Sequence, residues 1–304
     1  MVRRLITVFP TSIRPRMRKI KWEELEEIRI RIGWPVELIY SNHNEWLGNY
    51  DSMIDRKCLD EMLNYITGYS AFSMEEELKQ GYISMEGGHR IGITGHATYE
   101  PLGLGGELQI TNLVDIGGLN IRIAHEKKGC AKELVEHIRK GDSIYNTLFF
   151  APPGVGKTTY LRDAIRLIAE ERKCCVIDER SEIAACVHGR PQNDLGRRCD
   201  VLDACPKLLG MKMVLRSMSP EVIAVDELGK PEEFALLEEM CSSGVKVLGT
   251  IHAGSMEEIF RNKELRELLE KGIVERLVQL ERLSDGSRKL CVYDGQGGKI
   301  WENT

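Results

Sequence analysis

The sequence predicts an α/β protein in two parts, and three observations predict it. From residue 126 to residue 304, helical and strand-like segments alternate in the manner of a parallel sheet flanked by helices. Within that part an apolar strand-like run, Ser143 to Phe150, passes at once into Ala151-Pro152-Pro153-Gly154-Val155-Gly156-Lys157-Thr158 and then into a helical stretch, Thr159 to Glu171. A second apolar run, Val222-Ile223-Ala224-Val225, ends in the two carboxylates Asp226-Glu227. Residues 1–125 mix short strands and helices and read as a smaller α+β domain.

In that first part, Glu23 to Glu27 reads as helix and Ile28 to Ile32 alternates as a strand should. Gly33-Trp34-Pro35 ends it, and Val36 to Tyr40 makes the next strand. Lys57 to Thr67 and Phe72 to Gln80 read as helices. Ile83 to Met85 and Arg90 to Thr98 read as strands around Glu86-Gly87-Gly88, Pro101 to Gly106 as a glycine-rich loop, and Leu119 to Ala124 as a strand. In the second part, Cys174 to Ile177 is strand-like and is followed by a long insertion. Lys207 to Ser217, Pro231 to Ser243 and Ser255 to Lys271 read as helices. Val245 to Thr250, Ile273 to Leu280 and Leu290 to Tyr293 read as strands.

Composition narrows the class. The chain has 304 residues, enough for two cores, with 42% hydrophobic and 29% charged residues. A formal net charge of -5 argues against coating nucleic acid by bulk charge. No apolar run reaches the roughly 18–20 residues that span a bilayer. The stretch from Met1 to Trp22 is basic but lacks an apolar signal core, which points to a cytoplasmic protein. Nine scattered cysteines with no C-x-x-C pair read as reduced thiols.

The chemistry lies in the glycine loop and the acid-ended strand. Gly154 and Gly156 let backbone N–H groups converge on an anion at a helix N-terminus. Lys157 is expected to reach the phosphates of ATP, and Thr158 to ligate Mg²⁺. Ala151 stands where a glycine usually opens such a loop; a small residue can make the same turn. The run before Asp226 is expected to lie beside the strand that precedes the loop. Asp226 would then hold Mg²⁺ and Glu227 would polarise the attacking water. His252 ends the next strand, and a polar residue there can sense the terminal phosphate or serve as a plain cap. Asp178-Glu179-Arg180-Ser181-Glu182 also ends a strand; Glu179 can support water or metal, and a solvated charge cluster fits the same pattern. Arg90 and Arg122 sit on alternating strands, either as surface residues or as cations brought to the phosphates.

Together these segments resemble a known group. Met211 to Ser255 looks like the core of the type II and type IV secretion ATPases, in which an acid-ended strand, a helix and a His box follow in this order. Asp178-Glu179 is similar to the Asp box of that superfamily, and Thr250 with His252 to its His box. More closely, EEIRIRIGWP, GGHRIGITGHA, LNIRIA, APPGVGKTTYLRDAIRLI, DERSEIAAC, PQNDLGRRCDVLDACPK and LRSMSPEVIAVDELG resemble the stage III sporulation AA family, between Glu26 and Gly254. The resemblance implies a RecA-like P-loop core and a cytoplasmic, mother-cell ATPase driving a secretion-like channel toward the forespore. It further implies a hexameric ring, membrane-embedded channel proteins as partners, and a place at the inner face of the membrane. It assigns nucleotide binding to Pro153, Gly154, Val155, Gly156, Lys157, Thr158 and Thr159. Mg²⁺ falls to Thr158 and Asp226, water activation to Glu227, the Asp-box acid to Glu179, phosphate sensing to His252, and inter-domain cations to Arg90 and Arg122. Secretion ATPases often carry glycine where this chain has Asp226, which favours an ordinary Mg²⁺ site. A nucleic-acid-associated ATPase, favoured only by the basic segment Arg3 to Lys21, is the alternative; a nucleotide-binding adaptor without turnover is another.

Overall fold

The computed structural model describes residues 2–49, 52–68, 82–102 and 107–303. They form two compact units, Met1–His125 and Glu126–Thr304.

The first unit is built on a 6-stranded antiparallel sheet ordered β3-β2-β1-β6-β5-β4. Its strands are β1 (Leu25–Arg31), β2 (Val36–Tyr40), β3 (Asn44–Leu47), β4 (Tyr82–Met85), β5 (His89–Leu102) and β6 (Glu107–Arg122). Helices Val2–Val8, Arg14–Met17 and Arg56–Ile66 accompany it. Leu5, Phe9, Met17, Ile28, Ile30, Leu59, Met62, Ile91 and Ile121 form one core between sheet and helices. The segment Glu23 to Glu27 is not a helix: Leu25 already begins β1. A bulge between Leu25 and Glu27 sets Leu25 and Ile28 three residues apart on the buried face, which mimics helical spacing. β6 is also much longer than Leu119 to Ala124, and Pro101 and Leu102 belong to β5. The helix expected over Phe72 to Gln80, and residues 103–106 of the expected loop, lie outside the described residues.

His89 is 3% exposed in this unit. Its Nδ1 accepts the Ala124 N–H at 3.1 Å, while Nε2 has no hydrogen-bond partner among the described residues. Burial pushes its pKa down from 6.5 to about 4, with His125 adding to the effect. The unfolded chain therefore takes up a proton near pH 6.5 that the folded unit refuses until about pH 4. Stability is full above the upper value and falls as pH drops through this window, by on the order of 3 kcal/mol in total. Urea titrations of the wild type and His89→Gln between pH 7 and 4 should show a steep loss only in the wild type; equal slopes would remove His89 as the cause.

The second unit is an 8-stranded sheet ordered β11-β10-β12-β13-β9-β14-β15-β16. Its strands are β9 (Thr147–Ala151), β10 (Cys174–Asp178), β11 (Cys199–Asp203), β12 (Val222–Leu228), β13 (Lys246–His252), β14 (Arg276–Arg282), β15 (Arg288–Asp294) and β16 (Lys299–Glu302). A separate hairpin pairs β7 (Arg139–Lys140) with β8 (Ser143–Ile144). All pairings from β11 to β14 are parallel, and β15 and β16 are added antiparallel. β9 and β10 are buried along their whole length and apolar but for Thr147 and Asp178 at their ends, as strands covered on both faces must be. Two cores result, one around Phe149, Leu161, Ile165 and Val176, the other around Phe150, Ile223, Phe234 and Met240.

Several expectations are corrected in this unit. Ser143 to Phe150 is two strands, because Asn146 interrupts it; its side chain donates to Ile273 O at 2.8 Å and accepts from Val247 N at 3.0 Å. Ser255 to Lys271 is two helices, Met256–Arg261 and Lys263–Glu270, broken where Asn262 turns extended and caps the Leu265 N–H at 2.9 Å. The insertion after β10 contains β11, and helix Lys132–Ile138 precedes β7. Most consequential, β12 does not lie beside β9: β13 stands between them. The nine cysteines are free thiols, and burial pushes those of Cys174, Cys175 and Cys241 up to about 12.

Candidate functional site

β9, β10, β12 and β13 are parallel, so their carboxyl ends share one edge of the sheet, where α/β proteins gather ligands. Ala151, Asp178, Asp226, Glu227 and His252 stand at or near those ends. From β9 the chain enters the glycine loop, with Gly154 at φ +76 and Gly156 at φ +115. Both conformations suit glycine, and Gly156 caps the helix Lys157–Ile168.

Lys157 is 6% exposed. Its ammonium donates to Ala151 O at 2.8 Å, Pro152 O at 3.3 Å and His252 Nδ1 at 3.1 Å. Burial lowers its pKa, against the opposing pull of Asp226 and Glu227. Thr158 Oγ1 donates to Asp226 Oδ2 at 2.7 Å, which joins the loop to β12 across the intervening strand. A hydroxyl and one carboxylate are the protein donors a Mg²⁺ ion needs when phosphate and water oxygens complete its shell.

β13 makes that junction possible. Val225 pairs with Gly249 and Leu228 with Ile251, so a bulge sets Asp226 and Glu227 against Thr250 alone. The fully buried Thr250 hydroxyl donates to Asp226 Oδ1 and accepts the Glu227 N–H at 2.8 Å. Glu227 is left at φ +54, a conformation costly for a residue with a side chain. Its carboxylate meets Arg180 Nη1 at 2.6 Å and His252 Nε2 at 3.3 Å. Because Lys157 donates to Nδ1, His252 presents its Nε2 proton to Glu227. Lys207 fixes the Glu227 backbone, donating to its carbonyl at 2.6 Å.

The charge cluster after β10 divides into two roles. Asp178 is 1% exposed and accepts the N–H groups of Glu182, Ile183 and Ala184 at 2.8, 3.0 and 2.8 Å, so it shapes the loop. Its pKa is raised by burial, with those bonds opposing. Glu179 instead pairs with Lys207 at 3.2 Å and does not touch the Thr158–Asp226 pair. An open cleft of about 390 Å³ is lined in part by Glu179, Arg180, Lys207, Glu227, Lys230 and His252.

Arg90 and Arg122 lie in the first unit, directly opposite each other on β5 and β6, with the Arg90 guanidinium 5.0 Å from the centre of the Tyr82 ring. Four contacts escaped the sequence: Arg180 on Glu227, Lys207 on Glu227 and Glu179, the Thr250 hydroxyl between Asp226 and Glu227, and Arg288 Nε donating to Val155 O in the glycine loop at 2.6 Å. Arg180 carried a signal, its place directly after the Asp box; Arg288 carried none.

The profile of the family described as "Sporulation stage III, protein AA" matches residues 3–300. The chain belongs to this family. Stage III sporulation protein AA of Bacillus subtilis (strain 168) is 39% identical over 306 residues, which span 98% of this chain and 96% of that protein. The uncharacterized protein ycf45 of Porphyra purpurea is 31% identical over 156 residues, 50% of this chain and 27% of its own. Among solved structures, the Legionella pneumophila ATPase DotB superposes with TM-score 0.55 at 18% identity, covering 88% of this chain and 76% of that one. The pilus retraction motor PilT, crystallised with ADP, gives 0.60 at 15% identity, covering 93% and 80%. At such identities the likeness is one of fold: this family member has a RecA-like α/β core preceded by a smaller α+β unit. Among the described residues no helix is long and apolar enough to cross a membrane.

Proposed function

We propose that this chain is a Mg²⁺-dependent ATP hydrolase, the cytoplasmic motor of a secretion-like channel in endospore formation. One observation carries the reading. The Lys157 ammonium, the Thr158–Asp226 pair and the Glu227 carboxylate meet at the carboxyl edge of the sheet, beside a loop whose glycines open its backbone. In this reading Pro153 to Thr159 cradle the phosphates, with Lys157 supplying the counter-charge. Thr158 and Asp226 hold Mg²⁺, whose charge offsets that of the phosphates. Glu227 orients water as a base, His252 holds that carboxylate and reports on the phosphates, and Glu179 keeps Lys207 in place behind it.

Membership of the sporulation family supports the cellular setting, and the PilT- and DotB-like fold supports a motor. Self-assembly as a hexameric ring, docking on membrane-embedded channel proteins, and completion of the site by Arg90 and Arg122 belong to the same proposal. The deciding experiment is phosphate release with Mg²⁺ or with EDTA, across a protein dilution series with light scattering alongside. Mg²⁺-dependent release whose specific activity rises with assembly is expected. Nucleotide binding with no release at any concentration would leave only an adaptor. Arg90→Ala and Arg122→Ala should each lower turnover, by about 10³-fold or more for an arginine that meets transition-state charge, with nucleotide affinity unchanged; wild-type turnover in both would remove the arginine role.

A further inference from the structure

We propose that Arg288 is a positioning residue of the nucleotide site: from β15 it holds the Val155 carbonyl and so turns the Gly156 N–H toward the phosphates. Strand order brings it there. β14 runs parallel to β9 with Gln279 opposite Phe150, so Arg282, three residues on, reaches beyond the end of β9 at Ala151. β15 returns antiparallel with Arg288 opposite Arg282. The hairpin thus overhangs the carboxyl end of β9 on the side away from β13 and β12.

The guanidinium is itself held. Its Nη1 donates to Gly286 O and, at 3.4 Å, to Ser287 O, both in the turn of the same hairpin. That turn is tied by Ser287, whose N–H and hydroxyl donate to Asp285 Oδ1 at 2.9 and 2.6 Å. On β15 itself, the Asn303 side chain donates to Arg288 O at 3.1 Å. From this anchored position Nε reaches Val155 O at 2.6 Å. A Cβ on Gly156 would lie 3.9 Å from the same Nε, so the arginine also packs over the next residue of the loop.

The loop has a use for such a hold. Val155 stands between Gly154 at φ +76 and Gly156 at φ +115. Glycines on either side let the peptide planes of this stretch rotate at little cost. The buried Val155 side chain fixes its own Cα, not the plane of the peptide that follows. That peptide is trans, and in a trans peptide C=O and N–H point in opposite directions. With the Val155 carbonyl held on the β15 side, the Gly156 N–H points to the other flank. Lys157, Thr158 and Asp226 gather on that flank, since β13 and β12 lie across β9 from β14. A flipped peptide would present a carbonyl to the phosphates instead. An anion that meets an N–H already aligned does not have to reorder the loop as it binds.

Two substitutions separate the N–H donor from the charge. Arg288→Gln keeps an N–H donor at the same number of bonds from the backbone and drops the charge. Arg288→Met keeps the length and drops both. Isothermal titration of the full chain with ADP and with a non-hydrolysable ATP analogue, beside melting curves, compares them. Arg288→Met should weaken both nucleotides by the same factor, about tenfold, and Arg288→Gln should stay within about threefold of the wild type. Both variants lose the Nη1 bonds to the turn, so their melting curves should agree with each other. Unchanged affinity in Arg288→Met would overturn the role. So would an Arg288→Gln as weak as Arg288→Met, which would assign the effect to charge or to the turn. A loss in Arg288→Met accompanied by melting well below Arg288→Gln would mark a damaged fold and overturn it too. A wild type that binds neither nucleotide would remove the phosphate loop itself, on whose reading this role rests, and the wild-type titration tells that failure from the others.

Discussion

Lys157→Ala is expected to weaken nucleotide binding by about 10²–10³-fold, the equivalent of roughly 3–4 kcal/mol. The ammonium is buried beside the glycine loop, and a charge removed from such a place costs far more than one at an exposed surface. The fold should survive, because the bonds lost are to Ala151 O, Pro152 O and His252 at the rim of the sheet. Isothermal titration with an ATP analogue, paired with a melting curve, measures both. Because burial lowers the Lys157 pKa, the cationic form is lost at a lower pH than for an ordinary lysine, so affinity should fall with rising pH. A folded variant with wild-type affinity would sink the assignment of the phosphate loop.

Glu227→Gln is expected to bind Mg-ATP normally and to hydrolyse it about 10²–10⁴-fold more slowly. The amide keeps the volume and the bulged backbone, which is held through the Thr250 hydroxyl and the Lys207 ammonium rather than through the carboxylate. It loses the basicity and the ion pair with Arg180. Asp226→Asn should behave differently. It disturbs the carboxylate shared by Thr158 and Thr250, so turnover should demand much more Mg²⁺. Single-turnover assays at several Mg²⁺ concentrations separate the two. Wild-type turnover in Glu227→Gln would move the role of base to another acid, with Glu179 the first to test.

The parts of the site that were legible in the sequence are those made of contiguous residues. A strand, a glycine loop and a helix follow one another within Thr147 to Ile168, and each reports itself through periodicity or glycine content. The apolar strand before Asp226 and Glu227 is equally local. The misreadings are also local in cause. The bulge in β1 copied helical spacing, Asn146 broke a run that looks continuous, and Asn262 broke a helix whose apolar pattern carries on past it.

Residue order alone therefore settled the α/β class, the loop, the pair of acids and the family to which the chain belongs. Only the folded sheet decided how the pieces meet. It placed β13 between β9 and β12, and from there one threonine hydroxyl turns the bulged pair Asp226 and Glu227 in different directions. It also brought Arg180, Lys207 and Arg288 to the site from distant points of the chain. The physical reason is that periodicity records which face of an element is buried, while strand order and ion pairing depend on which elements pack together, and a single sequence does not write that down.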